Sequence, residues 1–222
     1  MPKTYCIFSA NYLPSIGGTE KYTQNLAQAL SVMGDHIIIV TMNVFNLPQY
    51  EVLEKDIEIF RLPCNNLLKG RYPIPKRNQS YRAAIQQLEK LSIDYIVVNA
   101  RFYLLSLVGM KLAVTKGITP IVIDHGSAHL TMGNRALDIL VSISEHMLTC
   151  AIKRYPAHYY SVSKASVEWL RHFGIKAHGV LNNAIDAKEF RNASSGRDFR
   201  KELNLSKDVF VVVYVGRFIP EK

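Results

Sequence analysis

Apolar and polar positions along this chain switch repeatedly between two periods. Residues 5–9 (YCIFS) are mostly apolar, and a loop with Pro14, Gly17 and Gly18 follows. From Thr19 onward, Tyr22, Leu26, Ala27 and Leu30 recur at helical spacing. The pattern predicts a strand, a glycine turn and a helix in succession. After the Gly34-Asp35 break, the β-branched run 36–41 (HIIIVT) predicts a strand buried on both faces, and 56–62 (DIEIFRL) predicts another, closed by Pro63. Tyr81, Ile85 and Leu88 give helical spacing across 78–91. Residues 95–99 (YIVVN) then read as a strand, 102–114 as an apolar helix stopped by Gly117, and 120–123 as a strand ending at Asp124-His125-Gly126. A long helix over 136–153, a strand over 158–162 and a helix over 164–173, ended by Gly174, complete the series.

Strands alternating with helices at this spacing predict an α/β fold, a doubly wound parallel sheet of Rossmann-like form. Ligands of such sheets collect outside the carboxyl ends of the strands. Here that edge carries the Gly17/Gly18 loop, Asn99, His125 and Ser163. The character changes near Val180, so the expected organisation is one domain over residues 1–180, a linker with a short helix over 181–207, and the start of a second α/β domain over 208–222. The run 208–215 (DVFVVVYV) is expected to be the first strand of that second domain.

A hydrophobic content of 48% with 20% charged residues describes a folded globular chain. No apolar run reaches the roughly 18 residues of a membrane span, and the first residues lack a leader pattern, which predicts a cytoplasmic location. Cys6, Cys64 and Cys150 are odd in number and far apart, suggesting neither disulfides nor a zinc site. The net charge of +9 points to an anionic partner. Five cations and no acid fall in 69–82: Lys69, Arg71, Lys76, Arg77 and Arg82, interleaved with Tyr72, Ile74 and Tyr81. This stretch reads either as a solvated loop or as a patch for the anionic inner face of a membrane; without a recognised binding module, nucleic acid is not expected.

Several residues could carry chemistry. Two adjacent glycines before a helix allow φ > 0 and leave N–H groups facing an anion, or they simply make a tight βα turn. His125 stands at a strand end, as a ligand contact or as a cap of the turn. His129 lies four residues on, but no further ligand follows Asp124, His125 and His129 at a suitable spacing, so no metal site is expected. Ser163 reads as a helix N-cap, a role compatible with a place in the site. Dehydrogenase chemistry is excluded by the absence of GxGxxG after the first strand.

Four segments occur in a telling order: GGTEKYTQNLAQALSVMGDHIIIVT, SVSKASVEWL, LNNAIDAKEF and VVVYVGRFIPEK. Together they resemble the N-terminal part of a GT-B fold glycosyltransferase of the retaining family four. The resemblance implies the N-terminal half of a GT-B fold and transfer of a sugar from a nucleoside diphosphate sugar to a glycan or lipid-linked glycan, as in capsule or lipopolysaccharide biosynthesis. It makes His125 a contact of the donor sugar that stabilises charge in the transition state. It turns Gly17 and Gly18 toward phosphate, and it makes Arg217 and Lys222 of GRFIPEK a clamp on the leaving diphosphate. Glu20, Asn99 and Ser163 fall near the acceptor or sugar. No cofactor or metal is implied, and the leaving phosphate serves as base, so paired carboxylates at hydrolase spacing are not expected. Residues 1–222 alone are expected to be inactive. The alternative is a noncatalytic subunit that binds acceptor or membrane beside a separate donor-domain chain. A nucleotide-sugar epimerase of the same fold resembles the chain less well.

Overall fold

The computed structural model describes residues 1–54, 56–67, 70–131 and 133–215. The apolar runs become the strands of one eight-stranded sheet: β1 (Thr4–Ser9), β2 (His36–Met42), β3 (Tyr50–Glu54), β4 (Ile57–Leu62), β7 (Tyr95–Asn99), β8 (Ile121–Asp124), β9 (His158–Ser161) and β10 (Gly179–Val180). β5 (Cys64–Leu67) and β6 (Tyr72–Pro75) pair with each other as a separate antiparallel hairpin. The helices between strands are α1 (Gly18–Val32), α2 (Gln79–Lys90), α3 (Leu104–Lys116), α4 (Arg135–Ile152) and α5 (Lys164–His172).

The sheet order is β10-β9-β8-β7-β1-β2-β4-β3, and every pairing is parallel except that of β3 with β4. From β1 the chain winds outward through β2 and β4, then returns to place β7 on the other side of β1. The point where winding reverses therefore lies between β1 and β7, with Ser9 in register with Asn99 at their carboxyl ends. That is where a doubly wound sheet opens a crevice.

Period-two alternation sorts the strand side chains onto two faces. Cys6, Phe8, Ile38, Val40, Phe60, Ile96, Val98 and Val122 join one core with Leu88 of α2, Leu105 and Met110 of α3, and Leu170 of α5. Ile7, Ile37, Ile39, Ile59, Val97 and Ile123 form the other with Ala27 of α1, against which Tyr22, Leu26 and Leu30 also pack. Both faces are covered, so the strands are apolar throughout rather than alternating with polar residues. The helices stop where glycine makes it cheap: Gly117 (φ 66) and Gly174 (φ 64) take the left-handed conformation that side chains resist.

The second unit, from Ala184 onward, contains the short helices α6 (Ala187–Asn192) and α7 (Phe199–Glu202). Here one expectation fails, since 208–215 forms no strand and leaves Phe210 88% and Val215 90% exposed. A strand needs a neighbour for its backbone groups, and none of the described residues supplies one. Cys64–Leu67 and Tyr72–Pro75, where no strand was expected, pair as β5 and β6, and the edge strand β3 was not foreseen either.

Gly109 of α3 shows how closely this helix meets the sheet. A Cβ there would stand 2.9 Å from Phe8 Cγ and 3.0 Å from Val98 Cγ2, both in the core. Gly109→Ala gains about 1 kcal/mol of helix propensity, but overpacking costs about 1–3 kcal/mol. The urea midpoint is therefore expected to fall; a midpoint at or above that of the wild type would refute the close-contact reading.

Candidate functional site

At the switch point between β1 and β7, buried polar side chains form a ladder. Thr23, one turn into α1, donates its hydroxyl proton to Thr19 O at 2.8 Å and accepts from Asn99 Nδ2 at 2.7 Å. This fixes the amide of Asn99, whose Oδ1 faces His125 Nε2 at 3.3 Å. Ser9, at the end of β1, donates to Asn11 O at 2.9 Å, and its Oγ lies 3.3 Å from that of Thr23. Ser9, Thr23 and Asn99 are all essentially inaccessible. Such groups must be paired when buried, and here each one is. Ala100, directly after Asn99, adopts φ 64, an uncommon conformation for a residue with a side chain, held by Ala100 N–H donating to Ile123 O at 2.8 Å.

His125 is the one member of the ladder that is not fully buried. Its ring meets Tyr22 edge-on, with centroids 4.8 Å apart. Burial holds its pKa down at about 4, so the imidazole is neutral near pH 7. With Asn99 Oδ1 as acceptor, the proton sits on Nε2 and the lone pair is on Nδ1. The ring is thus a hydrogen-bond acceptor with a set orientation rather than a fixed cation.

The glycine turn differs from expectation in its backbone. Gly17 is the N-cap of α1 with φ −166° and ψ 174°, extended backbone open to any residue, and Gly18 is not among the glycines of positive φ. What the glycines supply is space: a Cβ on Gly18 would meet nothing within 4 Å, and one on Gly17 would meet the Glu20 carboxylate. Glu20 therefore lies over the helix N-terminus, where its charge is favourable, and an arriving anion would displace it. Tyr103 is close enough to feel this carboxylate, and its phenol is pushed up to about 12, by burial first and Glu20 second. Tyr103 stacks on Tyr72 of the hairpin at 5.5 Å, and Arg71 acts on it in the opposite sense.

Of the other expected residues, Ser163 caps α5 by accepting from Ser166 N–H at 3.1 Å. Asn99 is buried, and its Oδ1 faces the His125 ring. The basic stretch is split. Arg71 lies near Tyr103, while Arg77 joins Lys111, Ile74, Tyr81 and Leu104 around a cavity of about 400 Å³. Lys76 and Arg82 flank the start of α2. Lys69, Arg217 and Lys222 lie outside the described residues.

Sequence reasoning missed a second network. Arg101, wholly buried, donates through Nη2 to Glu145 Oε1 at 2.7 Å, lies 3.5 Å from Asp124 Oδ1, and sits 3.8 Å over the Phe173 ring. Glu145 also holds His129 Nδ1 at 2.6 Å. Burial pushes the Asp124 carboxyl up to about 6, against the pull of Arg101 and helped by Glu145. A lone arginine in RFY carries no spacing signal that could have revealed this. His129 does not join His125 and Asp124; it comes together with His146 and His172.

With this geometry in place, comparison with known proteins gives the chain a family. The glycosyltransferase family 4 model matches residues 16–189, and the chain belongs to that family. A relative, an uncharacterised glycosyltransferase of Methanocaldococcus jannaschii, is 22% identical over 206 residues, covering 91% of this chain and 50% of its own length. The chain thus spans about half of that relative. Among solved structures, sucrose-phosphate synthase from Thermosynechococcus elongatus superposes with a TM-score of 0.68 at 19% identity, over 98% of this chain and 56% of that one. Another solved chain of that enzyme gives 0.54 at 16% identity, with 83% and 90% covered. The fold is that of the N-terminal half of a GT-B glycosyltransferase.

The His125 environment predicts a pH dependence. Its folded pKa is depressed from 6.5 to about 4, so its contribution to stability is present above 6.5 and is lost as the pH falls through 4. At 1.36 kcal/mol per unit, and for a ring that keeps some solvent contact, the effect stays below roughly 3 kcal/mol. Urea titrations at a series of pH values from 7.5 to about 4 should show His125→Gln losing less stability than wild type across this window; superimposable profiles would refute the buried neutral ring.

Proposed function

We propose that the chain is the acceptor-side half of a retaining glycosyltransferase, moving a sugar from a nucleoside diphosphate sugar to a glycan or lipid-linked glycan. The observation that carries this is the Ser9–Thr23–Asn99–His125 ladder, which orients one neutral imidazole at the carboxyl ends of the strands, near the reversal of strand order. Three buried groups spent on orienting one ring make sense where that ring must meet a ligand in one pose. The acceptor Nδ1 can accept a hydrogen bond from a sugar hydroxyl, and its dipole favours positive charge developing on the sugar ring.

In this reading, Gly18 leaves the first N–H groups of α1 open to a phosphate once Glu20 turns away toward an acceptor hydroxyl. Arg217 and Lys222 are the two cations assigned to the leaving diphosphate as it gathers negative charge. Ser163 stays in the sugar's vicinity as the cap of α5. The leaving phosphate serves as base, and this reading assigns the transfer no metal or cofactor. Donor base, sugar and acceptor are to be found by assay.

The experiment uses the protein at its native length with a panel of nucleoside diphosphate sugars. Nucleoside diphosphate release with an acceptor, and a product of retained anomeric configuration, are expected. His125→Ala should lower turnover by about 10²-fold or more while circular dichroism stays unchanged. Equal turnover in the variant removes His125 from the site. Sugar conversion without an acceptor would indicate an epimerase, and binding of acceptor without any donor turnover would indicate a noncatalytic subunit.

A lipid-linked acceptor places the protein on an anionic membrane surface, and one feature favours this specifically. α4 exposes Leu137, Ile139, Leu140, Ile143 and Met147, the last 68% accessible. Leu137 and Leu140 share an apolar hollow with Leu67, Tyr72 and Ile74 of the basic hairpin. Exposed apolar side chains, on a chain whose adjoining segment carries Arg71, Lys76 and Arg77, suit a helix lying in the headgroup layer. Among the described residues no helix is long and apolar enough to cross a membrane. Co-sedimentation with anionic vesicles is expected and should weaken in both Leu140→Ser/Ile143→Ser and Lys76→Ala/Arg77→Ala. Undiminished sedimentation of both would defeat the membrane reading.

A further inference from the structure

Three histidines far apart in sequence meet on one side of the fold. His129 comes from the segment after β8, His146 from the middle of α4 and His172 from the last turn of α5. One ring nitrogen of each lies within 4.8 Å of the others, and His146 Nε2 faces His172 Nε2 at 3.2 Å. Bond lengths of 2.0–2.1 Å about a tetrahedral zinc put neighbouring nitrogens about 3.3 Å apart. One edge of such a site is already formed.

The partners of the remaining ring nitrogens match what a metal site requires. His129 Nδ1 is engaged by the Glu145 carboxylate at 2.6 Å, and His146 Nδ1 donates to Ser142 O at 2.8 Å. A carboxylate or a carbonyl on the far nitrogen fixes tautomer and ring orientation in metal-binding histidines, leaving Nε2 as the ligand. Glu145 is itself held by the buried Arg101, so the support is anchored in the core. Ser142 Oγ lies 3.1 Å from His129 Nε2, a weak partner that a metal can displace. The His172 ring stacks parallel to Trp169 at 4.9 Å, which sets its plane.

We propose that His129, His146 and His172 bind a Zn²⁺ ion, with a water or an external ligand in the fourth position. Three imidazoles without a hard-oxygen set favour zinc over magnesium or calcium. The ion ties the segment bearing His125 and His129 to α4 and α5, acting as a cross-link of the fold. It stands apart from the sugar transfer proposed above, and its test does not depend on that reading. A simple hydrogen bond between the half-buried His146 and the exposed His172 is the competing account.

The test uses untagged protein, stripped with chelator and titrated with Zn²⁺ against a chromophoric competitor. Uptake of about one equivalent and a rise in melting temperature are expected, and Co²⁺ should give the visible absorption of a tetrahedral centre. His172→Ala removes an exposed ring and should weaken binding at least about tenfold without altering circular dichroism; His146→Asn should do the same. The fold holds a second exposed pair, His158 Nδ1 and His178 Nε2 at 3.3 Å, which provides the control. His158→Ala/His178→Ala should keep full affinity. Substoichiometric uptake, unchanged affinity in His172→Ala, or loss of binding in the control pair would each overturn the proposal.

Discussion

The guanidinium of Arg101 is the constraint around which the carboxyl-edge half of this fold is arranged. A charge with no solvent contact costs several kcal/mol unless opposite charge and hydrogen bonds meet it. Here β8 brings Asp124, α4 brings Glu145, and the end of α5 lays the Phe173 ring against its face. Three elements spread along the chain from Asp124 to Phe173 are thereby brought to one point. The pairing is uneven, since only the Glu145 contact is a short hydrogen bond while Asp124 stays at 3.5 Å. A buried triad of this kind adds less to stability than to uniqueness of arrangement, because any packing that separates the three groups strands a charge.

That arrangement fixes where the next residues go. Asp124 and His125 are neighbours, so anchoring the carboxylate inward at the end of β8 leaves the imidazole beside it at the rim, against Asn99 and Tyr22. Asn99 and Arg101 flank Ala100, whose positive φ turns one toward the crevice ladder and the other into the ionic core. The two networks are therefore two sides of one turn between β7 and α3. Strain at Ala100 is tolerated because hydrogen bonds to both Ala100 N–H and Ala100 O, the latter from Ser106 Oγ at 2.6 Å, hold it in place.

How much of this the sequence disclosed depends on the range of each signal. Sheet and helices were legible because burial on both faces writes continuous apolar runs, as in 36–41, and because Gly117 and Gly174 punctuate local conformation. The place of His125 at a strand end was legible, directly after β8. The β5–β6 hairpin was not, because Asn65, Asn66, Pro73 and Pro75 carry no strand propensity and pair only through a local ladder. The glycine turn was located correctly, but its conformation was misjudged: residue type suggested positive φ where the structure uses open space. Residues 208–215 have strand composition yet remain single, since a strand is a property of a pair. Arg101 and the histidine trio carry no spacing signal at all, because their partners are set by tertiary contact.

The segment after β8 joins these observations. His125 and His129 are four residues apart but look into different surroundings, one into an apolar rim that keeps it neutral, the other onto a buried carboxylate that orients it. Glu145 touches both the core cation and His129 and so carries the position of the core out to the surface histidines. Any group that fastened His129 to His146 and His172 would restrict the same segment on which His125 is carried. Rigidity at the rim would then come from the helical side of the fold, while the ladder through Asn99 and Thr23 supplies it from the sheet. A ring oriented from both sides loses little further freedom when a ligand arrives, which is the condition for spending binding energy on the ligand instead of on the protein.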